Sequence, residues 1–148
     1  MRVNLTSNND NNLPTYYTNI NIWNNGPHSA GQLGEFVDDG EAEEFRALNI
    51  LGLFPQNKSE EILNHWISKV AHKGKLIIGE VECLDVSKAY ANGRISIDDF
   101  NNLLRGENSV VQTSFSVGQI VNFLEAKGFK ILKKRVSNYY FIVEAERP

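Results

Sequence analysis

The side chains able to move protons, bind ions or stack on a ligand are few and scattered along the chain. Asp38 and Asp39 stand in an acidic, turn-like stretch. Glu80 and Glu82 stand at the end of an apolar run, and both pairs are expected near the mouth of a ligand site. Glu80 is the better placed, because it falls within the strand-like run itself. Solvated loop charge accounts for the two aspartates, and strand-edge charge for Glu82. His28 lies in a Gly-Pro loop, His65 in a helix-like stretch and His72 in the last turn of that helix, where a cation suits the helix dipole. They show no ligand spacing to one another, so no metal site is expected. Cys83 is the only cysteine, which excludes an intramolecular disulfide. As a nucleophile it would need a base beside it, and a small buried packing role is expected instead. Tyr16, Tyr17 and Trp23 offer rings for stacking on a planar ligand, whereas Trp66 recurs with apolar neighbours at helical spacing and belongs to a core.

The elements that must position these groups follow from periodicity and breakers. Residues 2–5 form a short buried strand running into an Asn-rich loop, and residues 18–23 alternate as a second strand. Residues 24–34 are breaker chemistry. Residues 45–51 are nearly continuously apolar, as expected of a strand buried on both faces of a parallel sheet. A helix follows, with Asn57 as its cap, Ile62, Leu63, Trp66, Ile67 and Val70 on one face, and Gly74 as its stop. Residues 76–81 make another strand, 85–90 a short helix ended near Gly93. Ser96 and Asp99 then cap a helix that Gly106 ends. Ser116 and Gln119 cap the last helix, closed by Lys127-Gly128. Strands over 130–136 and 139–145, separated by Ser137-Asn138, must pair as an antiparallel hairpin.

Strands alternating with helices, then a terminal hairpin, predict an α/β fold with a mostly parallel sheet, with residues 1–148 as a single domain. The central strands are expected to be 2–5 and 45–51, with the last strand antiparallel beside 76–81. No apolar run approaches the roughly 18 residues of a membrane span, so no membrane association is expected. The N-terminus turns polar too soon for a signal peptide, and one cysteine fits a reducing cytoplasm. A net charge of −3 and a pI near 5.6 supply no field for phosphate backbones, so a nucleic-acid partner is not expected. The oligomeric state is not legible.

The order of these segments resembles class I S-adenosylmethionine-dependent methyltransferases of a short predicted type. VNLTSNNDNNLPTYYTNINIW stands where that family has its glycine loop and the strand end after it. DDGEAEEFRALNILGLFP stands at its next loop, strand and His-Val-Leu-Glu-His segment. HKGKLIIGEVECLDVSKAYANG and FSVGQIVNFLEAKGFKIL follow its Pro-Gly-Gly turn and its last helix with the Gly-Phe entry to the hairpin. The resemblance covers nearly the whole chain and implies a Rossmann-like fold with S-adenosylmethionine as cofactor. It places Thr6, Ser7, Asn8, Asn21 and Asn49 around a crevice at the carboxyl ends of the strands.

These residues are not what the cofactor asks for. Thr6, Ser7 and Asn8 restore side chains where glycines would let the backbone approach the methionine part. Asn21 replaces the acid that accepts from both ribose hydroxyls; an amide has one acceptor oxygen and no charge. Asn49-Ile50-Leu51-Gly52-Leu53 retains neither histidine nor glutamate. Two functions stand beside each other: a methyltransferase whose methyl acceptor is unknown, and a catalytically inactive binding or assembly module that has lost the cofactor.

Overall fold

A computed structural model describes residues 1–7, 13–23 and 32–148. The strands are β1 (Arg2–Thr6), β2 (Thr18–Asn21), β3 (Ala42–Leu48), β4 (Val70–Val81), β5 (Lys130–Ser137) and β6 (Tyr140–Glu146). The helices are α1 (Ser59–Lys69), α2 (Cys83–Ala91), α3 (Ile97–Arg105) and α4 (Val117–Ala126). The strands form one sheet in the order β2-β1-β3-β4-β6-β5. β2, β1, β3 and β4 run parallel, and β6 is antiparallel to both of its neighbours.

Alternation along the strands divides this sheet into two unlike faces. On one, Val3, Phe45, Leu76 and Ala145 lie in register, as do Leu5, Ala47, Ile78 and Val143; all are buried. α1 lays Ile62, Leu63 and Trp66 on this face, and α4 lays Ile120 and Leu124, so that one apolar core joins sheet and helices. Trp66 stacks on Phe45 with ring centroids 5.8 Å apart. The expectation that Ile62, Trp66 and Val70 are buried is met, although Val70 already belongs to β4.

Polar pairs occupy the other face. Arg2, Glu44, Lys75 and Glu146 stand in one register row, and Asn4, Arg46, Ile77 and Glu144 in the next. Asn4 Nδ2 donates to Asn19 Oδ1 at 2.9 Å, Lys75 Nζ meets Glu144 at 3.0 Å, and the Tyr17 hydroxyl donates to Glu44. Opposite charges side by side across strands stabilise a half-solvated face.

Several boundaries differ from those read in the sequence. β3 spans Ala42–Leu48 rather than 45–51: Leu51–Leu53 close a single 3₁₀ turn instead, with Asn49 at φ 57 ending the strand. The middle of the sheet is β3 and β4, with β1 one strand in from the edge. Asn57 does not cap α1. It lies in a 3₁₀ turn over Gln56–Lys58, and the helix begins without a side-chain cap, with Glu60 and Glu61 in its first turn suiting the dipole. Gly74 does not end that helix, which stops at Lys69. Instead Gly74 sits in the irregular stretch between the Val70 and Lys75 pairings of β4, where a Cβ would come within 2.8 Å of the Ala42 carbonyl. The capping box of Ser96 and Asp99 forms as expected, and Ser116 caps α4.

The hairpin turn is Asn138-Tyr139, one residue later than read, with φ of 52° and 64°. Positive φ at both central residues makes it a type I′ turn, which favours Asn-Gly. Tyr139→Gly is therefore expected to stabilise the fold by about 0.5–1 kcal/mol, after the half-buried ring is discounted. A urea titration giving a lower midpoint for this variant would contradict it.

Candidate functional site

The chain leaves β1 toward β2 on one side and toward β3 on the other, so the sheet changes direction between β1 and β3. Open α/β sheets bind ligands at such a point, outside the carboxyl ends of the strands. A cavity of about 600 Å³ lies there. Ser7 lines it from the end of β1, Trp23 from beyond β2, Asn49 and Gly52 from beyond β3, and Glu80 and Val81 from the end of β4. Leu103 and Leu104 of α3, with Gly106 and the segment from Asn108 to Phe115, complete its wall.

That segment is tied in from both sides. Gln112 and Thr113 donate their N–H groups to the Gly52 carbonyl at 2.8 and 3.1 Å, and the Thr113 hydroxyl donates to the Phe54 carbonyl at 2.7 Å. Farther along, the Cys83 N–H donates to the Phe115 carbonyl at 3.0 Å. These bonds hold this segment, residues 108–115, against the cavity. The residues that matter within it, Val110, Val111, Thr113 and Phe115, carried no periodic signal, because their irregular backbone is fixed by distant carbonyls.

Glu80 is the chemical centre of the cavity. It is only 6% exposed, and its Oε1 accepts from the Gly52 N–H at 3.0 Å. Burial pushes its carboxyl up to about 7; the backbone N–H groups of Gly52, Leu51 and Ile50 pull the other way and offset only part of the cost. The Tyr140 hydroxyl, buried and without a hydrogen-bond partner among the described residues, is raised by burial and then by the charge of Glu80.

Of the five residues expected around the crevice, Ser7 and Asn49 line the cavity. Thr6 is the last residue of β1, buried and in register with Asn21, so it belongs to the sheet rather than to a loop. Asn21 turns its Oδ1 back to the Trp23 N–H at 2.9 Å. Asn8 lies outside the described residues, as does His28. Trp23 stands at the rim, 46% exposed, while Tyr16 is 86% exposed and Tyr17 is bonded to Glu44 on the polar face of the sheet.

Four other readings are corrected. Asp38 and Asp39 precede β3 and so lie at the amino ends of the strands, away from the cavity; Asp39 pairs with Lys69 at 2.7 Å, which holds its carboxyl below the usual range. Glu82 is not edge charge. Only 2% exposed, it accepts from Leu84 N at 3.1 Å and Val117 N at 2.6 Å, joining the amino ends of α2 and α4. Cys83 is half-buried at the start of α2, and burial together with Glu82 raises its thiol, which disfavours the nucleophilic thiolate. His72 is in β4, where its Nδ1 meets the Pro148 carbonyl at 2.7 Å; His65, in α1, accepts from the Leu33 N–H at 2.9 Å. Among the described residues no three His, Cys, Asp or Glu side chains converge, and no helix is long and apolar enough to cross a membrane.

No protein-family model and no curated protein sequence matches the chain. Solved structures do. A SAM-dependent methyltransferase from Archaeoglobus fulgidus superposes with a TM-score of 0.58 at 11% identity, over 97% of this chain and 74% of that one. Magnesium protoporphyrin IX methyltransferase from Synechocystis PCC 6803, solved with bound SAH, gives 0.55 at 18% identity over 90% and 54%. An O-methyltransferase family protein from Burkholderia thailandensis gives 0.55 at 14% identity, over 79% of this chain and 32% of that one. The chain thus spans about a third of the Burkholderia protein and about half of the Synechocystis enzyme. It has the fold of the class I S-adenosylmethionine-dependent methyltransferases.

Proposed function

We propose that residues 1–148 form one methyltransferase-fold module that binds a small molecule at the carboxyl ends of its strands and no longer uses S-adenosylmethionine as a methyl donor. The observation that supports this most is the connection from β1 to β2. In dinucleotide- and nucleoside-binding sheets the first strand turns into a helix whose amino end faces the cofactor. Here β1 ends at Thr6 with Ser7 in a bend, and residues 13–17 lead into β2 as coil and turn, so the described part of this connection is not helical.

Two features of the site agree. Asn21 offers no charge to the ribose hydroxyls, and its acceptor oxygen already takes the Trp23 N–H. Among the described residues no Lys, Arg or His lines the cavity, so a methionine carboxylate would find no cation there. A cytoplasmic setting fits the single cysteine. The other reading, a methyltransferase retaining its cofactor, rests on the fold and on the SAH bound in the Synechocystis enzyme.

Calorimetric titration separates the two. Neither S-adenosylmethionine nor S-adenosylhomocysteine is expected to saturate the protein at millimolar concentration, and micromolar binding of either would overturn the reading. Asn21→Asp restores a charged acceptor worth about 1.5–3 kcal/mol, so it is expected to gain no more than roughly ten- to a hundred-fold.

A further inference from the structure

We infer that the cavity is a site for an apolar amine, with the Glu80 carboxylate as counter-ion to the ammonium group and the α3 leucines packed on the apolar body. The inference rests on the reading that S-adenosylmethionine is not the ligand, and deepens it.

The charge balance of the cavity carries the first half. Glu80 is its one acidic lining group among the described residues, and no basic side chain lines it. A carboxylate this buried is costly when ionised unless an opposite charge is brought to it. Backbone N–H groups supply part of that need and fix the carboxylate in place through Oε1. Gly52 leaves it uncovered: a Cβ there would come within 3.2 Å of Glu80 Oε2 and 2.9 Å of the Thr113 carbonyl, so any side chain would crowd the acid. An anionic ligand would face Glu80 with no cation among the described lining residues to neutralise either charge. A metal ion would lack further ligands, since no other acid, histidine or cysteine among the described residues lines the space. An ammonium donates to the carboxylate and neutralises it.

The wall carries the second half. α3 buries no residue completely, yet Leu103 and Leu104 face the cavity beside Val110, Val111 and Phe115. An amphipathic helix holds its position by covering its apolar face, and here the surface left to cover belongs to the cavity. A space of about 600 Å³ lies within the range of small-molecule sites. The ligand class is an aryl- or alkylamine with one cationic end.

The test uses the full chain and calorimetric titration with tryptamine and 2-phenylethylamine, against 2-phenylethanol and 3-phenylpropionate of similar shape. The amines are expected to bind, the alcohol at least about ten-fold more weakly, and the carboxylate not at all. Glu80→Gln is expected to lose the preference for amine over alcohol while keeping the alcohol's affinity. Leu104→Lys, on a half-exposed helix position, adds a cation to the wall and is expected to abolish amine binding in a folded protein even if the Glu80 variant does not fold. Equal binding of amine and alcohol, binding of the carboxylate, or no amine binding at millimolar concentration would overturn the inference. If amines and S-adenosylmethionine both fail, this inference falls alone. Saturation by S-adenosylmethionine removes the reading beneath it, and both fall.

Discussion

Between about pH 4.5 and pH 8, the wild-type protein is expected to lose about 3 kcal/mol of stability that Glu80→Gln does not lose. The Glu80 carboxyl is raised from 4.5 to about 7 in the folded state, first by burial, so the folded protein holds its proton where the unfolded chain has released it. A folded value above the unfolded one means that the contribution is complete below 4.5 and is lost as the pH rises through 7. Glutamine keeps an acceptor for the Gly52 N–H but has no proton to lose. Urea unfolding of both proteins across this range gives the difference directly. Parallel pH profiles would show that Glu80 is solvated as an anion in the folded protein, and the electrostatic account of the cavity would fail.

Trp66→Ala is expected to destabilise the protein by about 3–5 kcal/mol, the cost of emptying a large buried aromatic position. The indole is 0% exposed, stacks on Phe45 and lies between α1 and the middle of the sheet. β3 and β4 support the floor of the cavity through Asn49 and Glu80, so the loss is expected to loosen the site as well. Chemical denaturation measures it; a change below about 1 kcal/mol would mean that the helix refills the space or that α1 contributes little to the core.

Some of this organisation was legible because it is local. The capping box at Ser96 and Asp99 satisfies amide groups within one turn, and the apolar stripe through Ile62 and Trp66 needs only helical spacing. The β5–β6 hairpin likewise needs only its two-residue turn, whereas the expected place of the last strand beside residues 76–81, where β6 pairs antiparallel with β4, joins segments far apart in sequence. The boundaries that moved were decided by partners far away in sequence. Residues 49–53 look like the continuation of an apolar strand, but the Gly52 carbonyl takes the N–H groups of Gln112 and Thr113, and the Glu80 carboxylate takes the Gly52 N–H.

The amino-acid sequence by itself determined the α/β order of elements and the buried stripe of α1, since each depends on residue type and near-neighbour spacing. Only the tertiary structure decided that Asp38 and Asp39 lie at the wrong end of the sheet, that Glu82 joins two helix ends and that Glu80 is the one charged group among the described residues lining the cavity. The physical reason is that a carboxylate's role is set by what surrounds it in space. Water, a helix end and an apolar wall leave the same letter in the sequence.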